Sequence, residues 1–156
     1  MDQIRHILVA TDGSDGSLAA AELAGFLARG CNARVSIIVV HNEAALLLPG
    51  FTDAALPGAT PFAVFPKKEA KQHIEKAASE HTLPDTERVL GVVPGGTKTV
   101  QIWGHTVEEI CKYAENNAVD MIVVGRRGRG SFKNLLIGGI SSKIVDHAPC
   151  AVAIAR

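Results

Sequence analysis

Residues 125–141 read GRRGRGSFKNLLIGGIS. They follow a short apolar run, residues 121–124 (MIVV), and lead into a helical pattern that closes before Pro149. The glycines are spaced Gly125-x-x-Gly128, then nine residues, then Gly138-Gly139. Glycine at a strand end lets the backbone approach a ligand closely and adopt positive φ. A helix starting near Gly138 presents unpaired N–H groups and the positive end of its dipole, which together cradle phosphate. Arg126, Arg127, Arg129 and Lys133 add positive charge beside it. A solvated basic surface loop is the plainer alternative, and the place of the stretch between a buried strand and a helix argues against it.

Outward from that stretch, strands and helices alternate. His6–Ala10 (HILVA) is a short apolar run bounded by turn residues, as in a parallel strand buried on both faces. TDGSDGS makes the next turn, with Ser14 or Asp15 as N-cap. Leu18, Ala19, Leu23, Phe26 and Leu27 mark the buried face of a helix that Gly30 is expected to stop. Residues 33–40 (ARVSIIVV) form the second strand, which makes a right-handed crossover. Residues 41–66 are apolar but punctuated by Pro and Gly, a loop long enough to fold over a ligand or a subunit contact.

Residues 66–81 form a surface helix with a narrow stripe of Ala70, Ile74, Ala77 and Ala78. A polar break at 82–87 is expected to lead to an extended arm or extra strand at 88–93, followed by Pro94-Gly95-Gly96. Residues 97–103 (TKTVQIW) read as the third core strand, and Thr106-Val-Glu-Glu109 as a capping box opening a helix that ends at Asn116-Asn117. A fourth strand (120–124), the glycine stretch, a short helix through His147 and a fifth strand (151–155) complete the chain. Alternation throughout argues for an α/β, doubly wound parallel sheet.

With 156 residues, the chain fits one domain over 1–156 with room for a core. Lys+Arg and Asp+Glu are both 16, so no global field favours nucleic acid or an acidic membrane. Residues 44–66 carry Pro49, Pro57 and Pro61, which exclude a spanning helix, and the N-terminus does not read as a signal peptide. Cys31, Cys111 and Cys150 are scattered, which suggests buried thiols in a reducing, cytoplasmic compartment. Residues 91–99 (GVVPGGTKT) approach a Walker loop, but Thr97 intervenes before Lys98 and a strand-like run follows where a helix is needed. His147-x-x-Cys150 is too few ligands for a closed metal site. No Ser–His–Asp set, carboxylate pair or zinc signature is present, so no catalytic residue is assigned.

The spacing G-x2-G-x9-G followed by a small residue resembles the nucleotide signature of the universal stress protein family. Residues 7–17 (ILVATDGSDGS), 119–130 (VDMIVVGRRGRG) and 147–155 (HAPCAVAIA) resemble that family's opening strand and turn and its last two strands. The resemblance implies a five-stranded sheet of order 3-2-1-4-5 with helices on both faces, and a ligand crevice between strands 1 and 4. It implies ATP, or ADP or AMP, with or without Mg²⁺, on Ala10, Thr11, Asp12, Val40, Gly125, Arg126, Arg127, Gly128, Gly138, Gly139, Ile140 and Ser141. Asp12 then faces ribose or a metal ion, although by itself it caps a turn; Val40 meets the adenine, although by itself it is core. The pattern departs at Gly139, where Ser or Thr is usual; losing that hydroxyl costs on the order of 1 kcal/mol.

The resemblance also implies a homodimer through the fifth strand around Val152 and Ile154, whose apolar edge otherwise lies bare. The expected function is that of a cytosolic stress-response regulator with at most slow hydrolysis. The competing expectation is a dimeric protein-interaction module of the same fold that holds no nucleotide. Nucleic-acid binding by residues 126–133 is disfavoured by the zero net charge and the single aromatic, Phe132.

Overall fold

The computed structural model describes residues 3–43, 67–128 and 139–156. The elements in order are β1 (His6–Ala10), α1 (Asp15–Cys31), β2 (Arg34–His41), α2 (Lys67–Ala77), a π turn (Ala78–Thr82), α3 (Leu83–Leu90), β3 (Thr97–Trp103), α4 (Thr106–Asn116), β4 (Met121–Gly125), α5 (Gly139–His147) and β5 (Ala151–Ala155). All strand pairs are parallel, in the order β3-β2-β1-β4-β5. This is the expected doubly wound sheet, and its order reverses between β1 and β4.

Side-chain alternation divides the core between the two faces. Ile7, Val9, Val35, Ile37 and Val123 pack under α1 and α3, against Ala20, Ala21, Ala24, Ala28, Leu83 and Leu90. Leu8, Ile38, Ile122 and Val124 pack under α4 and α5, against Ile110, Tyr113, Ala114 and Ile144. The central strands therefore read as continuous apolar runs, while β3 reads as half-polar TKTVQIW. It is the expected third strand, at the sheet edge where the order 3-2-1-4-5 places it, with its first three residues exposed.

Four local expectations are corrected. Helix α1 runs through Gly30 to Cys31, and Asn32 takes the left-handed position with φ 60°. Asn tolerates that conformation almost as well as Gly, so Gly30 is not the stop. The fully buried face of α1 is also made of small residues, Ser17, Ala20, Ala21, Ala24, Gly25 and Ala28. Of the expected face, Ala19, Leu23 and Leu27 pack half-buried against the core, whereas Phe26 is 70% exposed. A Cβ on Gly25 would overlap the Leu90 carbonyl oxygen, so α1 and α3 approach closer than large side chains allow.

Residues 82–93 hold a helix rather than a break and an extended arm. Leu83, Thr86 and Leu90 share its buried face. Pro84 lacks an N–H and crowds the preceding turn; the wide π turn just before it, closed by Leu83 N–H to the Ala78 carbonyl, keeps the helix continuous. Finally, α4 is capped by His105 without a side-chain bond, so the proposed capping box does not form. The helix starts one residue early, which puts Thr106 inside it instead of at the cap.

Gly30 is exposed, and a Cβ there meets nothing within 4 Å. Gly30→Ala is therefore expected to stabilise the protein by about 0.5–1 kcal/mol, by removing unfolded-state freedom from a helix interior. A higher urea midpoint with unchanged m-value is the expected readout.

Candidate functional site

At the carboxyl ends of the strands, where the order reverses, lies a cleft of about 1090 Å³. One wall is the turn after β1. Thr11 is buried and its N–H continues the ladder to the Ile38 carbonyl at 3.0 Å. Its hydroxyl lies 3.1 Å from Ser17 Oγ and 3.0 Å from Thr86 Oγ1. Ser17 donates to the Ser14 carbonyl at 2.9 Å and Thr86 to the Thr82 carbonyl at 2.7 Å. Each hydroxyl has one proton, so the Thr11 proton goes to Ser17 or Thr86 while Thr11 accepts from Gly13 N–H at 3.2 Å. This buried knot ties the cleft floor to α1 and α3.

Asp12 accepts through Oδ1 from the Ser14 amide at 3.0 Å and from the Ser14 hydroxyl. Ser14 in turn caps α1 by accepting from Ser17 N–H. The other carboxylate oxygen faces Gly128, where a Cβ would lie 2.6 Å from Asp12 Oδ2. The turn after β1 and the glycine turn after β4 thus meet, as a crevice between strands 1 and 4 requires.

Two further glycines set how closely they meet. A Cβ on Gly125 would overlap the Gly16 carbonyl, and a Cβ on Gly16 would overlap the Arg127 carbonyl. The first turn of α1 therefore lies flush on the end of β4. Ser141, buried at the start of α5, donates to the Gly125 carbonyl at 2.7 Å. Its only proton is thus held by the backbone, leaving the Ser141 hydroxyl with acceptor capacity toward the cleft.

The third wall is the end of β2. The β1–β2 ladder ends at Ala10↔Ile38, while β2 continues beside β3 to His41↔Trp103. The Ile38 carbonyl points to β1 and the His41 carbonyl to β3, where it accepts from Gly104 N–H at 3.0 Å. Alternation then turns the N–H and C=O of Val40 toward β1, beyond the end of that ladder, where the cleft lies. His41, on the opposite face, anchors this end. Its Nε2 donates to Gln101 Oε1 at 2.7 Å and its ring lies 5.0 Å from that of Trp103. The Gln101 amide nitrogen donates to Ser79 Oγ at 2.8 Å, which fixes its oxygen toward His41.

Of the residues expected at the site, Ala10, Thr11, Asp12, Val40, Gly125, Arg127, Gly128, Gly139, Ile140 and Ser141 line this one cleft. Arg126 does not line it; its N–H extends the sheet to the Ala155 carbonyl at 2.8 Å. Gly138, Arg129, Lys133 and the loop at 44–66 lie outside the described residues. The cleft also takes Asn42, His105, Glu108, Lys143 and His147, which the sequence reading missed. Lys143 and His147, four apart on α5, were legible as a helix face; His105 and Glu108 depend on where α4 docks. Among the described residues no cluster of three or more His, Cys, Asp or Glu is arranged to hold a metal ion. No helix among them is long and apolar enough to cross a membrane.

Neither Gly16 nor Gly125 has a flexible neighbour that can yield. Gly125→Ala is expected to cost about 1–3 kcal/mol from overpacking, whereas Gly139→Ala, with nothing within 4 Å of its Cβ, leaves folding near wild type. Urea unfolding of the two variants side by side checks this.

Comparison with known proteins gives a match to the model of the universal stress protein family over residues 3–156. The universal stress protein YxiE of Bacillus subtilis is 29% identical over 150 residues, covering 96% of this chain and 97% of that protein. Among solved structures, the universal stress protein UspA from Lactobacillus plantarum is 25% identical with a TM-score of 0.76, each chain covered in full at 100%. A universal stress protein crystallised in complex with cAMP is 20% identical with a TM-score of 0.62, covering 99% of this chain and 98% of that one.

Proposed function

The chain belongs to the universal stress protein family, and from that membership we propose that it is a cytoplasmic stress-response regulator that binds an adenine nucleotide in the cleft between β1 and β4. The observation that carries this is the convergence of the Val40 backbone edge, the Asp12 turn and the glycine turn on one cleft. The N–H and C=O of one strand residue offer a donor beside an acceptor. Adenine presents the complement, a ring-nitrogen acceptor beside its amino donor, whereas guanine presents a carbonyl beside a ring N–H and meets the pair with mismatched polarity. The glycine turn, Gly125 and Gly128, lines the cleft where the phosphates would lie, and Arg127 and Lys143 add positive charge to that lining. Asp12 would share a Mg²⁺ ion with the phosphates when one accompanies the nucleotide. A family member of the same fold takes cAMP, which is consistent with an adenine pocket tolerant of phosphate number.

Hydrolysis is expected to be slow. The Thr11 and Ser141 hydroxyl protons are held by internal partners, so neither serves as a positioned donor to the transferring group. Those same facts favour a second reading, a dimeric interaction module without nucleotide: Gly139 brings no hydroxyl, and the Ser141 proton is taken up by Gly125.

Calorimetry with Mg·ATP and then Mg·GTP separates the two. A saturable heat with ATP that weakens tenfold or more with GTP, a difference of about 1.4 kcal/mol, supports the nucleotide site. Gly139→Ser, which fits open space, is expected to tighten ATP binding several-fold by restoring a hydroxyl worth about 1 kcal/mol. No heat and no thermal shift at millimolar ATP in either protein leaves the interaction-module reading in place.

We propose further that the chain is a homodimer through β5. That strand lies at the sheet edge, with Val152 and Ile154 half-buried against the α4–α5 side, and an uncovered apolar edge invites a second copy. Sedimentation at micromolar concentration should give twice the chain mass; a monomer there overturns it.

A further inference from the structure

The opposite end of the sheet carries a second cavity, of about 220 Å³. His6, Ser36, Tyr113 and Asn117 line its inner part, and Arg34, Lys98 and the turn at Gly95 and Gly96 complete it. Register explains why these side chains meet. His6 pairs with Arg34 and Ser36 with Lys98, and neighbours in register project to the same face, here the one under α4. Tyr113 on α4 donates its hydroxyl to Ser36 Oγ at 3.2 Å. Ser36 Oγ lies 2.8 Å from His6 Nε2. On the other side of the ring, Nδ1 is 3.0 Å from the Asn117 carbonyl and 3.1 Å from the Arg34 guanidinium.

Two cations line this cavity and no carboxylate does. The nearby Asp120 is not among its lining residues and accepts from the amides of Arg5 at 2.8 Å and His6 at 2.9 Å. The turn is built tightly: a Cβ on Gly95 would overlap the backbone of Ala33 and Arg34, and Gly96 has φ +79°. Lys98, the lysine of the GGTK stretch that failed as a Walker loop, therefore stands beside a glycine turn after all, but on a strand.

We propose that this cavity binds a tetrahedral oxyanion between Arg34 and Lys98 over the Gly95–Gly96 turn, and that its occupancy is coupled to protonation of His6. The guanidinium fork and a lysine are the side chains that suit sulfate or a phosphate group. The coupling follows from the ring's surroundings. A charged imidazole carries a proton on both nitrogens; its Nδ1–H can donate to the Asn117 carbonyl, but the ring's positive charge then lies beside the Arg34 guanidinium, 3.1 Å away. Burial first, and the Arg34 charge with it, hold the His6 pKa below its ordinary 6.5, while the Asn117 and Ala118 backbone and Asp120 pull it up. A bound dianion offsets the Arg34 charge and lets the ring take its proton. By reciprocity, the protonated ring then strengthens anion binding. The sign is that affinity rises as pH falls.

Sulfate is the suitable probe, because its charge is constant across the histidine range. The ¹⁵N-labelled full chain is titrated with sodium sulfate at ionic strength held constant with sodium chloride, at about pH 5.5 and about pH 7.5, either side of histidine's range. Saturable shifts of the Gly95, Gly96, Thr97 and Lys98 amides are expected, with half-saturation several-fold lower at the acid pH and an upward move of the His6 ring titration. Arg34 and Lys98 are exposed, so Arg34→Gln and Lys98→Gln should fold and lose saturation. Shifts that grow linearly, that chloride reproduces, or that survive both variants overturn the site. A half-saturation independent of pH overturns the coupling.

Discussion

Contact between the first turn of α1 and the end of β4 is the constraint on which the remainder of this structure depends. A Cβ on Gly125 would strike the Gly16 carbonyl, and a Cβ on Gly16 would strike the Arg127 carbonyl. Two glycines facing one another let a helix start against a strand end with no side chain between them. That approach brings the Asp12 turn onto Gly128 and leaves the cleft open on the α4–α5 side. Ser141 then closes the arrangement from α5 through its bond to the Gly125 carbonyl.

The two ends of the sheet use polar groups differently. At the carboxyl ends, strands of unequal length leave backbone edges over a wide cleft, and side-chain hydroxyls are tied inward to Thr11 and Gly125. At the amino ends, the strands begin nearly level, and the polar side chains themselves, His6, Ser36 and Tyr113, fill the space under α4. Burying such a chain of neutral groups is tolerable because nearly every donor finds an acceptor. The cost falls on the charged form of His6, which has Arg34 beside it.

Much of the architecture was legible because it follows from periodicity. Central strands such as HILVA and MIVV are apolar on both faces only when helices cover both, and their alternation with helices left a parallel sheet as the natural solution. The errors arose where local signals compete. Pro84 and the polar residues 82–87 read as a break, yet a π turn absorbs the proline and the buried Leu83, Thr86 and Leu90 hold the segment helical. Phe26 looked like core by spacing, but close packing of Gly25 against Leu90 selects the small-residue face instead.

By itself the sequence determined the elements, their hydrophobic faces and the glycine positions at which two backbones can approach, since these depend on residue type and period. It carried the Asp12 and Gly125 turns as separate motifs, and the residues between them gave no distance. Only the tertiary structure decided that these turns touch, that the edge of Val40 opens toward them, and that His105 and Glu108 reach the same cleft from α4. It also decided that Arg34 and Lys98 line one cavity with His6. Each of these results from strand register and helix docking, which join residues far apart in the chain through contacts that no local pattern encodes.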